Sequence, residues 1–200
     1  TLPLDWHYRS RHESLIAFSN LRYYGGRLVT FPSPMLEREG VSWKHVEGAV
    51  YEKGTTRTNP VEAQAIVAEV VRRLKDEACA GDSLGVVTFN QAQQTLIEDL
   101  LEAERRADPG LDAAFAEEQG EAVFVKNLEN VQGDERDVIF LSVCYGPDQD
   151  GRVTLNFGPL NRDGGERRLN VAVTRSRSQV VIFSTLMAEQ IDLSRTQARG

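Results

Sequence analysis

Two hundred residues with a formal net charge of −7 are enough for one sizeable core, and the composition is that of an ordinary soluble globular chain. Basic and acidic residues number 8 and 6 over 1–60, 5 and 13 over 61–120, and 10 and 11 over 121–200. This excludes a passive charge sponge for nucleic acid and predicts that any polyanion-binding surface is built from the outer thirds. No apolar run approaches the length of a membrane span, no signal-peptide pattern is present, and Cys79 and Cys144 lack a CxxC spacing. A cytoplasmic chain with reduced thiols and no membrane contact is expected. His7, His12 and His45 do not combine with the cysteines at metal-ligand spacing, so no metal site is expected from this chain.

Leu15 and Phe18 fall at helical spacing and predict a helix from about Glu13, stopped by Gly25-Gly26, with Arg9 in the turn before it. Pro32, Pro34 and Gly40 mark loop over 31–42, after which Lys44–Tyr51 alternates as a strand. Asn59-Pro60 places an N-cap before a proline at the first helical position, and Ile66, Val67, Val70, Val71 and Leu74 repeat as one helix face ending near Cys79. Leu84–Phe89 is a continuous apolar run, predicting a strand buried on both faces, and leads into a helix from Gln91 to about Arg106. An acidic loop over 107–121 with a short helical piece, a short strand Ala122–Val125, and the strongest strand Asp137–Val143 follow. Residues 146–165, rich in Gly, Pro, Asp and Asn, form a long loop, where a compact domain tends to keep function.

Gly165–Arg177 reads as a helix leading into the strand Gln179–Ser184. Leu169, Ala172 and Val173 face the core, while Arg168 and Arg175 share another face about 10.5 Å apart. Two guanidiniums so placed suit an extended anion, since each planar fork binds phosphate oxygens bidentately. A solvated basic face on an amphipathic helix fits the same spacing.

Strands alternating with helices predict a three-layer α/β/α fold with a parallel sheet as one domain over 1–200. The abrupt start at Thr1 and end at Gly200 suggest a piece of a longer protein. Ligands in such sheets bind beyond the carboxyl ends of the strands. The loops to watch are Thr88 to Gln91, the turn around Gln132-Gly133-Asp134-Glu135, and the turn before the arginine-bearing helix.

Three stretches, in order, resemble one family. Tyr8-Arg9-Ser10-Arg11 is similar to motif IV of superfamily 1 helicases, Asn130 to Glu135 with the apolar strand after it to motif V, and Arg167 to Arg175 to motif VI. The resemblance implies the second, C-terminal RecA-like motor domain of a DNA or RNA helicase, near the RNA-surveillance branch and the large bacterial multidomain helicase-related proteins. In that family ATP and Mg²⁺ lie between two domains, and the first domain supplies the phosphate loop and the acidic metal site. This chain has no Gly-x-x-x-x-Gly-Lys-Ser/Thr, so the fragment alone is expected to be inactive.

By the resemblance, Arg9 and Arg175 reach the γ-phosphate as catalytic arginines. Gly133, Glu135 and Arg168 contact the nucleotide, and Thr88, Asn90, Gln93 and Gln132 touch single-stranded nucleic acid, DNA in preference to RNA. The bland alternatives are helix capping for Thr88 and Asn90, a charged turn residue for Glu135, and a salt bridge to Glu166 for Arg168. A non-catalytic module holding nucleic acid or a partner protein is the alternative for the whole chain, and a small-molecule phosphotransferase is disfavoured by the missing phosphate loop. Phe89 and Ser176 depart from the family pattern of Pro and Ala, and Arg11-His12 from its Met-His or His-Pro; none of the three removes a charged contact.

Overall fold

The computed structural model describes residues 6–7, 10–30, 40–116 and 120–191. Arg9, with its neighbour Tyr8, and residues 192–195 lie outside the described residues. The strands are β1 (Trp6–His7), β2 (Val29–Thr30), β3 (Gly40–His45), β4 (Leu84–Thr88), β5 (Phe124–Asn127), β6 (Arg136–Ser142) and β7 (Ser176–Ser184). The helices are α1 (Ser14–Tyr23), α2 (Pro60–Lys75), α3 (Gln91–Ala107) and α4 (Gly165–Val173).

Five strands form one parallel sheet in the order β3-β7-β6-β4-β5. β4 is buried at every position and β6 at all but its first, the pattern of strands covered on both faces. Two hydrophobic cores supply that cover. One packs Ile66, Val70 and Ile97 of α2 and α3 against Val86, Phe140 and Phe183. The other packs Leu15 of α1 and Ala172 of α4 against Val87, Ile139 and Val180. The result is the expected three-layer α/β arrangement.

Local signals explain the helix starts. Asn59 accepts the Glu62 amide at 3.1 Å and Pro60 opens α2; Asn90 accepts the Gln93 amide at 2.8 Å and opens α3. Three boundaries differ from the sequence reading. β3 lies at 40–45 rather than 44–51, because its partner is set by register with β7, from Gly40 opposite Gln179 to His45 opposite Ser184. β7 starts at Ser176, three residues early, since the Ser176 hydroxyl is bonded to the Asp137 and Gln179 carbonyls and the polar start is buried. β5 lies at 124–127 rather than 122–125, in register with β4 from Gly85 opposite Phe124 to Thr88 opposite Asn127. The acidic loop after α3 carries its expected short helical piece as a 3-10 run, Pro109–Phe115, anchored by Leu111.

A further correction concerns the arginines. α4 ends at Val173, where the Thr174 hydroxyl donates to the Asn170 and Val171 carbonyls. Arg175 therefore lies past the helix end, and the shared helical face with Arg168 is not formed.

Candidate functional site

The predicted residues divide between the two edges of the sheet. At the amino edge, the 128–135 connection returns from β5 to β6 without a helix, tethered by the buried Leu128 and Val131. Gly133 has φ +96° there, with no heavy atom close to where a side chain would start. Its requirement is therefore conformational, a backbone region L-residues rarely adopt. Gln132 is exposed beside it and Glu135 is half-buried. Asp134 pairs with Lys126 at 2.6 Å, fixing the turn to β5.

Arg175 meets this turn from the far side. Its Nε donates to the Val171 carbonyl at 2.9 Å, its Nη1 to the Asp134 carbonyl at 3.5 Å, and its own carbonyl accepts the Arg136 amide at 3.1 Å. Residues 134–136 and 175 are thus joined by one main-chain bond and one from the Arg175 guanidinium to a main-chain carbonyl. Glu135 lies 3.6 Å from Arg177 Nη1. Arg168 stays at the other end of α4, where its Nη1 donates to the Pro159 and Asp163 carbonyls. Glu166 pairs with Arg167 instead, at 3.8 Å.

At the carboxyl edge, Thr88 and Gln93 have no surface to offer a phosphate. Both are fully buried; the Thr88 hydroxyl donates to the Asn90 carbonyl, and the Gln93 amide exchanges two hydrogen bonds with the Asn59 main chain, at 2.8 and 3.2 Å. This corrects the expectation of direct contact for these two: they brace the loop that presents Asn90. Asn90 itself is half-buried, caps α3, and donates to the Arg57 carbonyl at 3.3 Å and to Cys144 Sγ at 3.2 Å.

Asn90 borders a groove of about 420 Å³, which Lys53, Arg57, Gln91, Glu129 and Arg162 also line. Tyr51 and Tyr145, in edge contact at 5.2 Å, form its floor. Three cations against one acid, with the amino end of a 17-residue helix opening into the same space, make it suited to an anion. Arg162 and Glu129 pair at 3.4 Å. Sequence reasoning missed Lys53, Arg57 and Arg162, because a turn-like local context gave them no periodic or motif signal and only the fold brings them together.

Under the groove lies a buried polar lock. Glu62 is fully buried; its Oε1 accepts the Ser142 hydroxyl and the Cys144 amide, both at 2.7 Å, while Oε2 completes no hydrogen bond. Burial pushes its carboxyl up to about 7, only partly offset by Ser142, Cys144 and the nearby Thr185 backbone. Asn59 Nδ2 donates to the Cys144 carbonyl and to Thr185 Oγ1. Cys144 is buried, and burial with the Glu62 charge raises its thiol far above the ordinary range, so it is inert rather than nucleophilic.

Among the described residues no three His, Cys, Asp or Glu side chains gather to hold a metal ion, and no helix is long and apolar enough to cross a membrane.

Comparison with known proteins places this geometry. A family described as "AAA domain" matches residues 1–186. A protein of Mycoplasma genitalium named an uncharacterized ATP-dependent helicase is 36% identical over 194 residues, covering 93% of this chain and 16% of the relative. Its Mycoplasma pneumoniae homologue is 34% identical over 184 residues, covering 91% and 16%. A probable RNA helicase of Drosophila melanogaster is 26% identical over 129 residues, 62% of this chain and 9% of the relative. The C-terminal domain of a possible DNA helicase from a Lactobacillus species covers 88% of this chain and 86% of its own at 13% identity, with a TM-score of 0.47. The chain thus spans about a sixth of the length of the two mycoplasma proteins. Matched over nearly all its length, it belongs to the AAA domain family.

Proposed function

We propose that this chain is the second motor domain of an ATP-dependent superfamily 1 helicase or translocase, which supplies arginine contacts to the ATP γ-phosphate and part of a single-strand track. The observation that carries the reading is the junction of the 131–135 turn with Arg175, distant in sequence and joined through the Asp134 and Arg175 carbonyls. The helicase names of the mycoplasma relatives support it.

In this reading Arg175 exchanges neutral carbonyl acceptors for phosphate oxygens, whose negative charge attracts the guanidinium and whose geometry accepts its fork bidentately. Arg9 would join it. Glu135, with Gly133 shaping its turn, contacts the ribose or the water network beside the phosphates, and Arg168 has a supporting part. The phosphate loop and the Mg²⁺ site belong to the first motor domain, the partner across the cleft, so the isolated domain does not turn over. Stepping follows from closure of the two domains on ATP and reopening after hydrolysis. The strand itself crosses the carboxyl edge, where Asn90 is joined by Lys53, Arg57 and Arg162, a track that reads phosphates and not bases, and Gln132, in the turn at the amino edge, couples that track to the nucleotide. DNA is the proposed strand, and RNA is the competing arm of the test.

The test is ATP hydrolysis by the full-length protein, with and without single-stranded DNA or RNA, beside the Arg175→Ala variant. Stimulated turnover that falls by about 10³-fold in the variant, with nucleotide binding kept, is the expected result. Normal turnover in the variant removes the arginine assignment. Strand binding without any turnover in the intact protein favours a non-catalytic module.

A further inference from the structure

The amino edge carries one guanidinium with more acid around it than folding requires. Arg177, whose side chain is 22% exposed, donates to both Asp137 oxygens at 3.0 Å, to Glu121 Oε1 at 2.8 Å and also to Glu121 Oε2, and lies 3.6 Å from Glu135 Oε1. Its Nη2 reaches the Ser83 hydroxyl at 2.9 Å. Its carbonyl accepts the Arg11 amide at 2.7 Å, and the Arg11 side chain turns to the same place, 3.6 Å from Asp137 Oδ1 and 3.3 Å from the Ser178 hydroxyl. The Arg177 side chain therefore joins three separate stretches, the turn before β4, Glu121 before β5, and the turn into β6, and its main-chain carbonyl adds the entry to α1. A planar fork with five fixed donors holds several carboxylates in set directions, which a compact ammonium with three rotatable donors does not.

Asp137 is buried and its pair with Arg177 anchors the start of β6, whereas Glu135 is 37% exposed and a pair so open adds little to stability, so the placement of Glu135 beside this guanidinium asks for another explanation. Glu135 stands beside the place where Arg175 meets the 131–135 turn. An acid there repels a triphosphate unless a neighbouring cation masks it and fixes where it points.

We propose that Arg177 is a positioning residue for the nucleotide: it acts through Glu135, setting the direction of that carboxylate and masking its charge, and through Arg11 it ties the segment before α1 to the same point. The proposal rests on the motor reading above. Arg177 does not itself touch ATP.

The experiment measures ATP hydrolysis with saturating single strand in the full-length protein for Arg177→Gln, Glu135→Gln, the double variant and Arg177→Lys, alongside thermal unfolding of each. KM for ATP is expected to rise about tenfold in Arg177→Gln with kcat changed by less than about threefold, and the double variant to be no worse than Glu135→Gln alone, the signature of two residues acting as one unit. Arg177→Lys keeps one ion pair and recovers melting temperature, while its KM stays raised; it carries the test if the Gln variant unfolds. Unchanged KM in the Lys variant, or single effects that multiply in the double variant, overturns the proposal. Failure of the motor reading looks different: the wild-type protein is then silent, or Arg175→Ala is as active as wild type.

Discussion

Two non-glycine residues, Arg57 at φ +59° and Cys144 at φ +66°, adopt the left-handed backbone region, and they touch. The Arg57 carbonyl accepts from both Asn90 Nδ2 and Cys144 Sγ, at 3.3 and 3.8 Å. Such conformations cost about 1–2 kcal/mol each for L-residues, and they persist where surrounding structure over-determines them, often at functional positions. At Arg57 the strain serves to aim an exposed cation into the groove. Replacing Arg57 with Gly separates conformation from charge: stability by urea denaturation should stay level or rise by about 1 kcal/mol, while the salt slope of single-strand binding becomes shallower by about 0.7. A slope equal to wild type removes Arg57 from the track. Nothing in the run Glu52 to Thr58 announces this, since its turn-forming residues read as loop whichever way the arginine points.

At the scale of elements, the caps were legible and the lock beneath them was not. Asn59-Pro60 and Asn90 act through neighbours three residues away, so sequence alone carries those helix starts. Glu62, one turn into α2, reads as an ordinary first-turn acid favoured by the helix dipole. The structure buries it against β6 and turns it into the acceptor for Ser142 and Cys144. The same holds for Gln93, whose partner Asn59 is far away in sequence and whose burial removed it from the strand track. The helical face of Arg168 and Arg175 failed for a related reason, because the Thr174 hydroxyl competes for helix carbonyls and ends α4 early.

The buried carboxyl of Glu62 makes stability pH-dependent in a stated direction. Its folded value of about 7 lies above its ordinary 4.5, so the folded state binds its proton more tightly. Below about pH 4.5 both states are protonated and the group contributes no difference. As pH rises from there to 7 the unfolded chain ionises first, and stability falls; above 7 the full penalty remains. Glu62→Gln keeps an acceptor for Ser142 and Cys144 without the charge. Denaturation at pH 5 and pH 8 should show the variant gaining about 2–3 kcal/mol relative to wild type between the two conditions. A constant difference across that range shows that the carboxyl does not titrate there.

Over the whole molecule, the net charge of −7 and the cation-lined groove are reconciled by geography. The most acidic stretch, 61–120, forms α2 and α3 on one face of the sheet, and the Lys53, Arg57 and Arg162 cations gather at its carboxyl edge. In the proposed reading long-range attraction is therefore weak, and short-range neutralisation carries the binding. Single-strand affinity of the isolated domain should fall with salt at a log–log slope near −2, about 0.7 for each of three neutralised phosphates. A slope near zero means the groove does not hold the strand. The layered α/β class was readable from alternating runs, whereas which strand lies beside which is a property of tertiary pairing.

That pairing sets a timetable for synthesis. β3 has one neighbour in the sheet, β7, and β7 is the last strand among the described residues. On the ribosome, β4, β5 and β6 can assemble as soon as they emerge, but β3 and the α1 segment before it must wait until residue 184 has cleared the exit tunnel before their seat exists. Until then the nascent domain has an open edge on β6, and the arginines of the amino edge are completed only as its final strand is delivered.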